Sequence, residues 1–275
     1  MPARPAPDHR ATAGGARGAD GLRALTTDGY VHVRGRALDE RSAFAVARRL
    51  VDAAADHEGI APLAVVGDFV LPPGPTPSRG FQTLHIDFGL PLAPRVVRDI
   101  GRYTALHVPA DRGRPTAVTR LVPIADLFAQ RPWPGAAELV DRFATYGATH
   151  GAWDDTSGYV EGSLARIVDA ADAEPSLPSV RTEPGFLCGM EFTDLGAEVA
   201  FFTRHGLRLS EVQRDVCLGP GDLLVFDDVA VAHGRDGARA PAELRQWVFG
   251  HAELDVPAQR ALRDRWLAAM APAQP

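Results

Sequence analysis

The stretch Phe81-Gln-Thr-Leu-His85-Ile-Asp87-Phe-Gly-Leu90 is a short apolar run that contains an imidazole and a carboxylate two positions apart. Side chains alternate between the two faces of an extended chain, so His85 and Asp87 are predicted to project from one face together. Two histidines and one carboxylate form the ligand set of non-haem Fe(II) sites, and this pair supplies two of the three. The plainer alternative is a hydrogen bond between the two side chains on a sheet.

Length and composition indicate the class of protein. The chain has 275 residues, 45% of them hydrophobic, and a formal net charge of −6. These values suit one large domain with a substantial core, predicted over residues 21–275, after a Pro-, Ala-, Arg- and Gly-rich tail (1–20) that we expect to be disordered. No apolar run is long enough to cross a membrane, and the tail does not resemble a secretory signal.

The same features set our expectations for partners. Mild acidity argues against nucleic acid as the main partner. We expect a cytoplasmic protein that acts on a small molecule, without membrane attachment and with a homodimer as one option.

Short β-prone runs separated by turn signals dominate the pattern along the chain. Strands are predicted at 29–33, 60–71, 81–90, 103–108, 116–122, 186–192, 198–203, 211–218, 223–226, 229–233 and 244–249. Helices are predicted at 39–58, 124–130, 136–146 and 257–270, the first from apolar residues at spacings of three and four. This order favours a mainly β protein with flanking helices (α+β), a sandwich or barrel, over an alternating βαβ fold.

Residues 147–179 are a long Gly-, Asp- and Ser-rich connection with mixed patterning. Connections of this length in a compact domain are often functional lids over a binding site. The alternative is an ordinary surface insertion, and the sequence does not decide between the two.

A second group of polar residues lies in an apolar segment late in the chain. The segment 219–235 reads Gly-Pro-Gly-Asp-Leu-Leu-Val-Phe-Asp-Asp-Val-Ala-Val-Ala-His-Gly-Arg, and Leu-Arg-Gln-Trp-Val-Phe-Gly follows at 244–250. His233 ends one apolar strand, and Arg245 lies inside the next. A charge in a β-core is costly without a partner, and a guanidinium can bind the carboxylate of a ligand through two hydrogen bonds. The alternatives are an Arg245 that pairs with a protein carboxylate or lies exposed on an edge strand.

The order His85-x-Asp87, then His233, then Arg245 resembles that of the Fe(II)/2-oxoglutarate-dependent dioxygenases, nearest to their TauD/TfdA and clavaminate-synthase-like branch. The Pro-Gly-Asp-Leu-Leu-Val-Phe-Asp-Asp run before His233 is similar to the segment that precedes the distal histidine of that family. The resemblance covers about residues 81–250 and is limited to motifs. It implies a double-stranded β-helix (jelly-roll, cupin-like) core and an enzyme that uses Fe(II), 2-oxoglutarate and O2.

The resemblance also implies roles for the matching residues. The metal ligands would be His85, Asp87 and His233. Arg245 would hold the distal carboxylate of 2-oxoglutarate, with the hydroxyl of Thr116 or of its close competitor Thr119. Asp87 disfavours a halogenase, because related halogenases replace this carboxylate. Phe249 stands where sulfonate-oxidising members carry a second arginine, which makes a taurine-like substrate doubtful.

Contacts with the substrate are less determined. Arg79, Gln82 and Thr83 lie just before the first ligands and Arg235 follows His233, so these four residues are candidates to line the pocket. Carboxylates that accept a hydrogen bond from the other ring nitrogen orient metal-bound histidines, a role open to Asp227 or Asp228, although both could be ordinary turn residues.

The expected reaction is hydroxylation, desaturation or ring formation at an unactivated C–H bond of a small polar metabolite, an amino acid or derivative. One alternative is a Zn²⁺-dependent hydrolase or isomerase with the same three ligands, and another is a non-catalytic β-barrel binding protein.

Overall fold

The computed structural model describes residues 15–34, 37–71, 81–87, 90–91, 97–112, 118–150, 159–160, 164–177, 192–236 and 243–270. The strands are Tyr30–Val33 (β1), Ala64–Leu71 (β2), Phe81–His85 (β3), Leu90–Pro91 (β4), Val97–His107 (β5), Val118–Pro123 (β6), Tyr159–Val160 (β7), Arg214–Cys217 (β8), Leu223–Asp227 (β9), Val231–Asp236 (β10) and Leu244–Leu254 (β11). The helices are Gly15–Thr27 (α1), Glu40–Glu58 (α2), Ile124–Phe128 (α3), Ala136–His150 (α4), Leu164–Ala171 (α5), Leu195–Arg204 (α6), Leu209–Val212 (α7) and Val256–Met270 (α8).

The strands form two larger sheets and one small ribbon. The large sheet has the order β1-β9-β5-β11-β2, the small sheet has the order β3-β10-β6-β8, and β4 pairs with β7. All of the strand pairs in the described residues are antiparallel. The expectation of a mainly β protein with flanking helices is confirmed at this level, while the jelly-roll core stays a prediction.

Alternating side chains place the two sheets face to face. Leu224 and Phe226 of β9 share one buried cluster with Leu121 of β6 and Val231 of β10. Leu223 and Val225 of β9 belong to a second cluster on the opposite face, which packs against α1 and α2. A third cluster covers the outer face of the small sheet with the remaining helices. The result is a sandwich of two sheets between two helical layers, whose inner space is available for a site.

Helix α2 shows how local signals define an element at the outer layer. Asp39 caps its N-terminus by accepting a hydrogen bond of 2.7 Å from the Ser42 backbone N–H. Gly59 ends it in the left-handed conformation, with φ of 67°. The predicted apolar stripe is the face that is buried against the large sheet, which confirms the predicted helix at 39–58.

One predicted strand is a helix. Residues 198–203 lie in α6, whose N-terminus is capped by the Asp194 carboxylate accepting a hydrogen bond of 2.9 Å from the Ala197 backbone N–H. A short apolar run is compatible with a strand or a helix. The Asp194 cap favours the helix here. The predicted strand at 211–218 is also divided, because α7 ends at Val212 before β8 begins.

Other predicted segments have mixed outcomes. Residues 15–20 of the predicted disordered tail lie in α1. Within the long connection predicted at 147–179, α4 extends to His150 and α5 occupies Leu164–Ala171. The predicted strand at 186–192 falls almost entirely outside the described residues. No helix in the described part of the chain has the length and apolar character needed to span a membrane.

Candidate metal centre

Strand pairing within the small sheet brings the two distant histidines together. His233 of β10 lies directly opposite His85 of β3, and a register shift follows between His233 and Arg235. The two imidazole ring centres are 4.3 Å apart. Residues far apart in the chain therefore meet through backbone hydrogen bonding, as the metal hypothesis requires.

The carboxylate reaches the same point from just beyond a strand end. β3 ends at His85, and Asp87 lies in the turn that follows. Asp87 Oδ1 is nevertheless 3.1 Å from His85 Nε2 and 3.6 Å from His233 Nε2. The predicted grouping of the three side chains is thus confirmed, although Asp87 is not in a regular strand.

The second nitrogen of each ring has an oxygen nearby. His85 Nδ1 lies 2.8 Å from the Thr83 carbonyl, so Nδ1–H donates to that oxygen. The Gln82 side-chain amide, 3.2 Å from His85 Nε2, is placed to donate to it. A metal at Nε2 would replace this contact.

For His233 the nearby oxygen belongs to Asp228. His233 Nδ1 is 3.2 Å from Asp228 Oδ1, but neither atom makes an aligned hydrogen bond within the described residues. Asp227 instead pairs with Arg102 at 2.7 Å. Both carboxylates are buried, so neither is an ordinary turn residue on the surface. Asp228 is the one positioned to orient the second ligand.

Charges and burial around the centre favour an anionic Asp87 beside a neutral His233. Burial alone would raise the pKa of Asp87, but His233, His85 and Arg235 together hold it well below its usual value. Burial lowers the pKa of His233. Burial and then the Asp87 charge raise the pKa of Asp228 well above its usual value. Neutral imidazoles and one carboxylate are the protonation states that divalent metals bind.

The three side chains fit a divalent transition metal. Their ligand atoms all lie within 4.8 Å of one another, and they form the one such group of metal-ligating side chains found among the described residues. Ligand atoms bound at about 2.0–2.2 Å and at right angles to one another lie roughly 3 Å apart, so small rotations would close the site. Two histidines and one carboxylate on one side of an ion match non-haem Fe(II), and three protein ligands also suit catalytic Zn²⁺.

A cavity of about 70 Å³ opens beside the three ligands, between the two sheets. The small sheet contributes Gln82, Thr119, Gly234 and Arg235 to its lining. The large sheet contributes Thr104, Leu106, Phe226 and Gln246. A larger cavity of about 490 Å³ lies between the end of β11 and α8, and its lining includes none of the three ligands. The smaller cavity belongs to the candidate metal site, because His85, Asp87 and His233 line it.

The other sequence candidates are placed as follows. Gln82, Thr119 and Arg235 line the metal cavity. The Thr83 side chain does not, because it is buried and its hydroxyl accepts a hydrogen bond of 3.3 Å from the Phe192 backbone N–H. The Thr83 side chain is therefore not part of the wall of this cavity. The remaining two candidates, Arg79 and Thr116, lie outside the described residues.

Arg245 occupies the wrong face of β11 for its predicted role. Its guanidinium contacts Glu40 at 2.9 Å and Asp68 at 3.0 Å, and it lies toward the Trp247 ring on the side of α2. The next residue, Gln246, faces the cavity instead. The prediction that Arg245 reaches the ligand pocket is wrong, because the charge is satisfied by protein carboxylates. The alternative stated from the sequence is what the structure contains.

A buried ion pair behind β3 was not anticipated. Arg120 of β6 contacts Glu198 of α6, and both side chains are buried. Arg120 donates to the Gln82 carbonyl at 2.7 Å, and Glu198 accepts from the Leu84 backbone N–H at 2.7 Å. Arg120 carried the same signal as Arg245, a charge in an apolar strand, whereas Glu198 was hidden in a segment predicted to be a strand.

The chain is similar to solved structures only at low sequence identity. No protein-family model matches the chain, and no curated protein matches it. It is similar to the structure of PvcB, an Fe, alpha-ketoglutarate dependent oxygenase from an isonitrile synthetic pathway, at 18% identity over 86% of this chain and 81% of that one, with a TM-score of 0.39. It is also similar to AAD-2 in complex with Mn(II) and N-oxalylglycine, at 11% identity over 91% and 98%, with a TM-score of 0.44. Both TM-scores are below 0.5.

Proposed function

We propose that the chain is a non-haem Fe(II) oxygenase that uses 2-oxoglutarate and O2 to oxidise an unactivated C–H bond of a small polar metabolite. The observation that supports it is the meeting of His85, His233 and Asp87 beside a cavity between two sheets. When bound, Fe(II) with 2-oxoglutarate and O2 supplies the oxidising chemistry. Three protein ligands leave the other positions of the ion open for these molecules.

The chain contributes geometry and a controlled environment. His85 and His233 provide neutral imidazoles, and Asp87 provides the negative charge that offsets the ion. The Thr83 carbonyl accepts a hydrogen bond from His85 Nδ1–H, and the Asp228 carboxyl lies 3.2 Å from His233 Nδ1, where it can orient that ring. Leu106 and Phe226 exclude water from one wall of the cavity. Such a site positions its ligands without reorganisation during the reaction.

The cavity lining supports a small polar substrate. Its polar groups include the Gln82 and Gln246 amides, the Thr119 hydroxyl and the Arg235 guanidinium. An amino acid or a derivative offers matching hydrogen-bonding groups and a carboxylate. Hydroxylation, desaturation and ring formation all remain outcomes of the proposed chemistry.

The test is the formation of succinate from 2-oxoglutarate by protein loaded with Fe(II) under anaerobic conditions and then exposed to O2. We expect turnover by the wild type and its loss in His85→Ala and in Asp87→Ala, because each removes a ligand. His251→Ala is the matched control, since His251 lines the cavity near α8 instead. Amino acids and related metabolites that stimulate succinate release would identify the substrate class.

Undiminished succinate formation by both ligand variants would contradict the proposal. A Zn²⁺-loaded protein that hydrolyses or isomerises substrates without O2 and 2-oxoglutarate would support the second candidate, a hydrolase or isomerase with the same ligands. That candidate is kept because the His, His and Asp donor set suits both metals and affinity alone favours zinc.

A further inference from the structure

We infer that Arg102 of β5 is a positioning residue for the candidate metal centre, because it holds the turn that places Asp228 behind His233. This role rests on the proposed function, since it concerns the same three ligands. Arg102 lines the larger cavity near α8 and not the cavity beside the metal ligands. Its effect on a bound metal is therefore transmitted through the backbone and through a second side chain.

An extra residue in β5 gives Arg102 its position. Tyr103 is the Cα partner of Phe249 on β11, and Gly101 is the partner of Gly250, so Arg102 lies in a register shift between them. A bulge of this kind re-aims a side chain relative to regular alternation, and bulges are common next to functional sites. The Arg102 side chain is buried, and its guanidinium contacts the end of β9.

Arg102 contacts two successive aspartates where β9 ends. Its Nη2 lies 2.7 Å from Asp227 Oδ2, and its carbonyl accepts a hydrogen bond of 2.9 Å from the Asp228 backbone N–H. The Arg102 and Asp227 side chains are only 4% and 6% exposed. A charge-assisted contact is stronger where water does not compete, so this pair fixes the local geometry. One residue of the neighbouring strand therefore holds both aspartates.

The Asp227 carboxylate extends this hold into the turn between β9 and β10. Its Oδ1 accepts hydrogen bonds of 2.9 Å from the Val229 backbone N–H and 3.2 Å from the Ala230 backbone N–H. Its Oδ2 contacts Arg102, so the two oxygens have separate partners. The backbone is thus fixed on both sides of Asp228 before the chain enters the strand that carries His233.

Asp228 connects this turn to the metal ligand. Its side chain is buried, and its Oδ1 lies 3.2 Å from His233 Nδ1. A carboxyl group behind a metal-bound imidazole sets the orientation of the ring. A shift of the Asp228 backbone would displace this carboxyl group from the ring. Release of the Arg102 contacts should therefore weaken metal binding through the same ring that Asp228 orients.

Titration of metal-free protein with Mn(II), followed by electron paramagnetic resonance, tests this role without turnover. Arg102→Met combined with Asp227→Asn removes both charges, and the amide oxygen can still accept the hydrogen bonds within the turn. We expect Mn(II) affinity to fall about 10-fold, the lower end of the usual effect for partners of metal-bound histidines. Asp227→Asn alone leaves Arg102 paired with Glu58 and should give a similar loss, so the test does not depend on the folding of the combined variant.

Two comparisons separate positioning from general destabilisation. Asp228→Asn should cause the same Mn(II) affinity with or without the Arg102→Met and Asp227→Asn changes, because all of them act on the orientation of one ring. The resonance spectrum of bound Mn(II) should also change in the same sense in both single routes. Arg265→Gln is the matched control, since Arg265 contacts Glu58, the other partner of Arg102, from α8. It should bind Mn(II) as the wild type does.

Wild-type Mn(II) affinity in the folded variants at Arg102 and Asp227 would overturn the inference. Losses that multiply when Asp228→Asn is added would do the same, because Arg102 would then act by another route. An equal loss in Arg265→Gln would assign the effect to the packing of α8 instead. Wild-type protein that does not bind Mn(II) would contradict the proposed function itself, so the two failures are distinguishable.

Discussion

Two arginines, Arg120 on the small sheet and Arg245 on the large sheet, lie in opposite environments. On the small sheet, Arg120 and Glu198 are both almost completely inaccessible to solvent, with side-chain exposures of 1% and 0%. On the large sheet, Arg245 pairs with Glu40 and Asp68, whose side chains are 53% and 52% exposed. A charged pair in a core is costly unless it is fully satisfied, whereas an exposed pair adds little. The buried Arg120–Glu198 pair therefore indicates that the backbone around it must be held in a fixed position.

The buried pair contacts β3, the strand that ends at the ligand His85. Arg120 and Glu198 contact the β3 backbone on both sides of Thr83, at the residues before and after it. The opposing strand approaches closely as well, since a Cβ at Gly234 would lie 2.6 Å from the Gln82 carbonyl and 3.0 Å from the Arg120 guanidinium. Glycine next to His233 thus permits the close strand contact that brings the histidines together.

The largest expected effect is on the small sheet. Glu198→Ala should lower the free energy of unfolding by roughly 3–5 kcal/mol, because it leaves the Arg120 charge buried and the Leu84 N–H without its acceptor. Urea denaturation of metal-free protein, followed by circular dichroism, measures the change. A loss below about 1 kcal/mol would mean that the pair is not the main support of β3.

A double variant separates stability from positioning. Arg120→Met combined with Glu198→Leu removes both charges, so most of the lost stability should return. Mn(II) affinity should stay below that of the wild type, because β3 loses its two backbone contacts. Recovery of both quantities would show that the pair serves folding alone.

An intermediate effect is expected behind His233. Asp228→Asn should weaken Mn(II) binding about 10- to 100-fold, the usual result of altering the partner that orients a metal-bound histidine. Titration of metal-free protein with Mn(II) measures it, and Asp68→Asn on the outer face serves as the control. Equal Mn(II) affinities for Asp228→Asn and the control would remove Asp228 from the site.

The smallest effect is expected on the large sheet. Arg245→Gln should change the free energy of unfolding by about 0–1 kcal/mol, since its partners are half exposed and water can replace it. The same urea denaturation measures it beside Glu198→Ala. A loss as large as that of Glu198→Ala would end the contrast between the two ion pairs.

Local patterns carried the prediction of the metal ligands. His85 and Asp87 are recognisable because they lie two positions apart in a short apolar run. Their proximity does not depend on contacts with the rest of the chain. The strands at 223–226 and 244–249 were predictable for the same reason, since apolar β-prone runs between turn signals need no distant contacts to be recognised. α6 was not predictable in this way, because its apolar residues fit both conformations and only the Asp194 cap decides.

Sequence alone identified which residue types could bind a metal, because ligand chemistry depends on the side chain. It also identified a mainly β protein, because strand periodicity is local. Tertiary structure alone decided which charged residues face the cavity. A shift of one residue along a strand moves a side chain to the other face of the sheet, so Arg245 lies outside while Gln246 and Arg235 line the site. The pairing of Arg120 with Glu198 was decided in the same way, through contact between a strand and a helix that are distant in the chain.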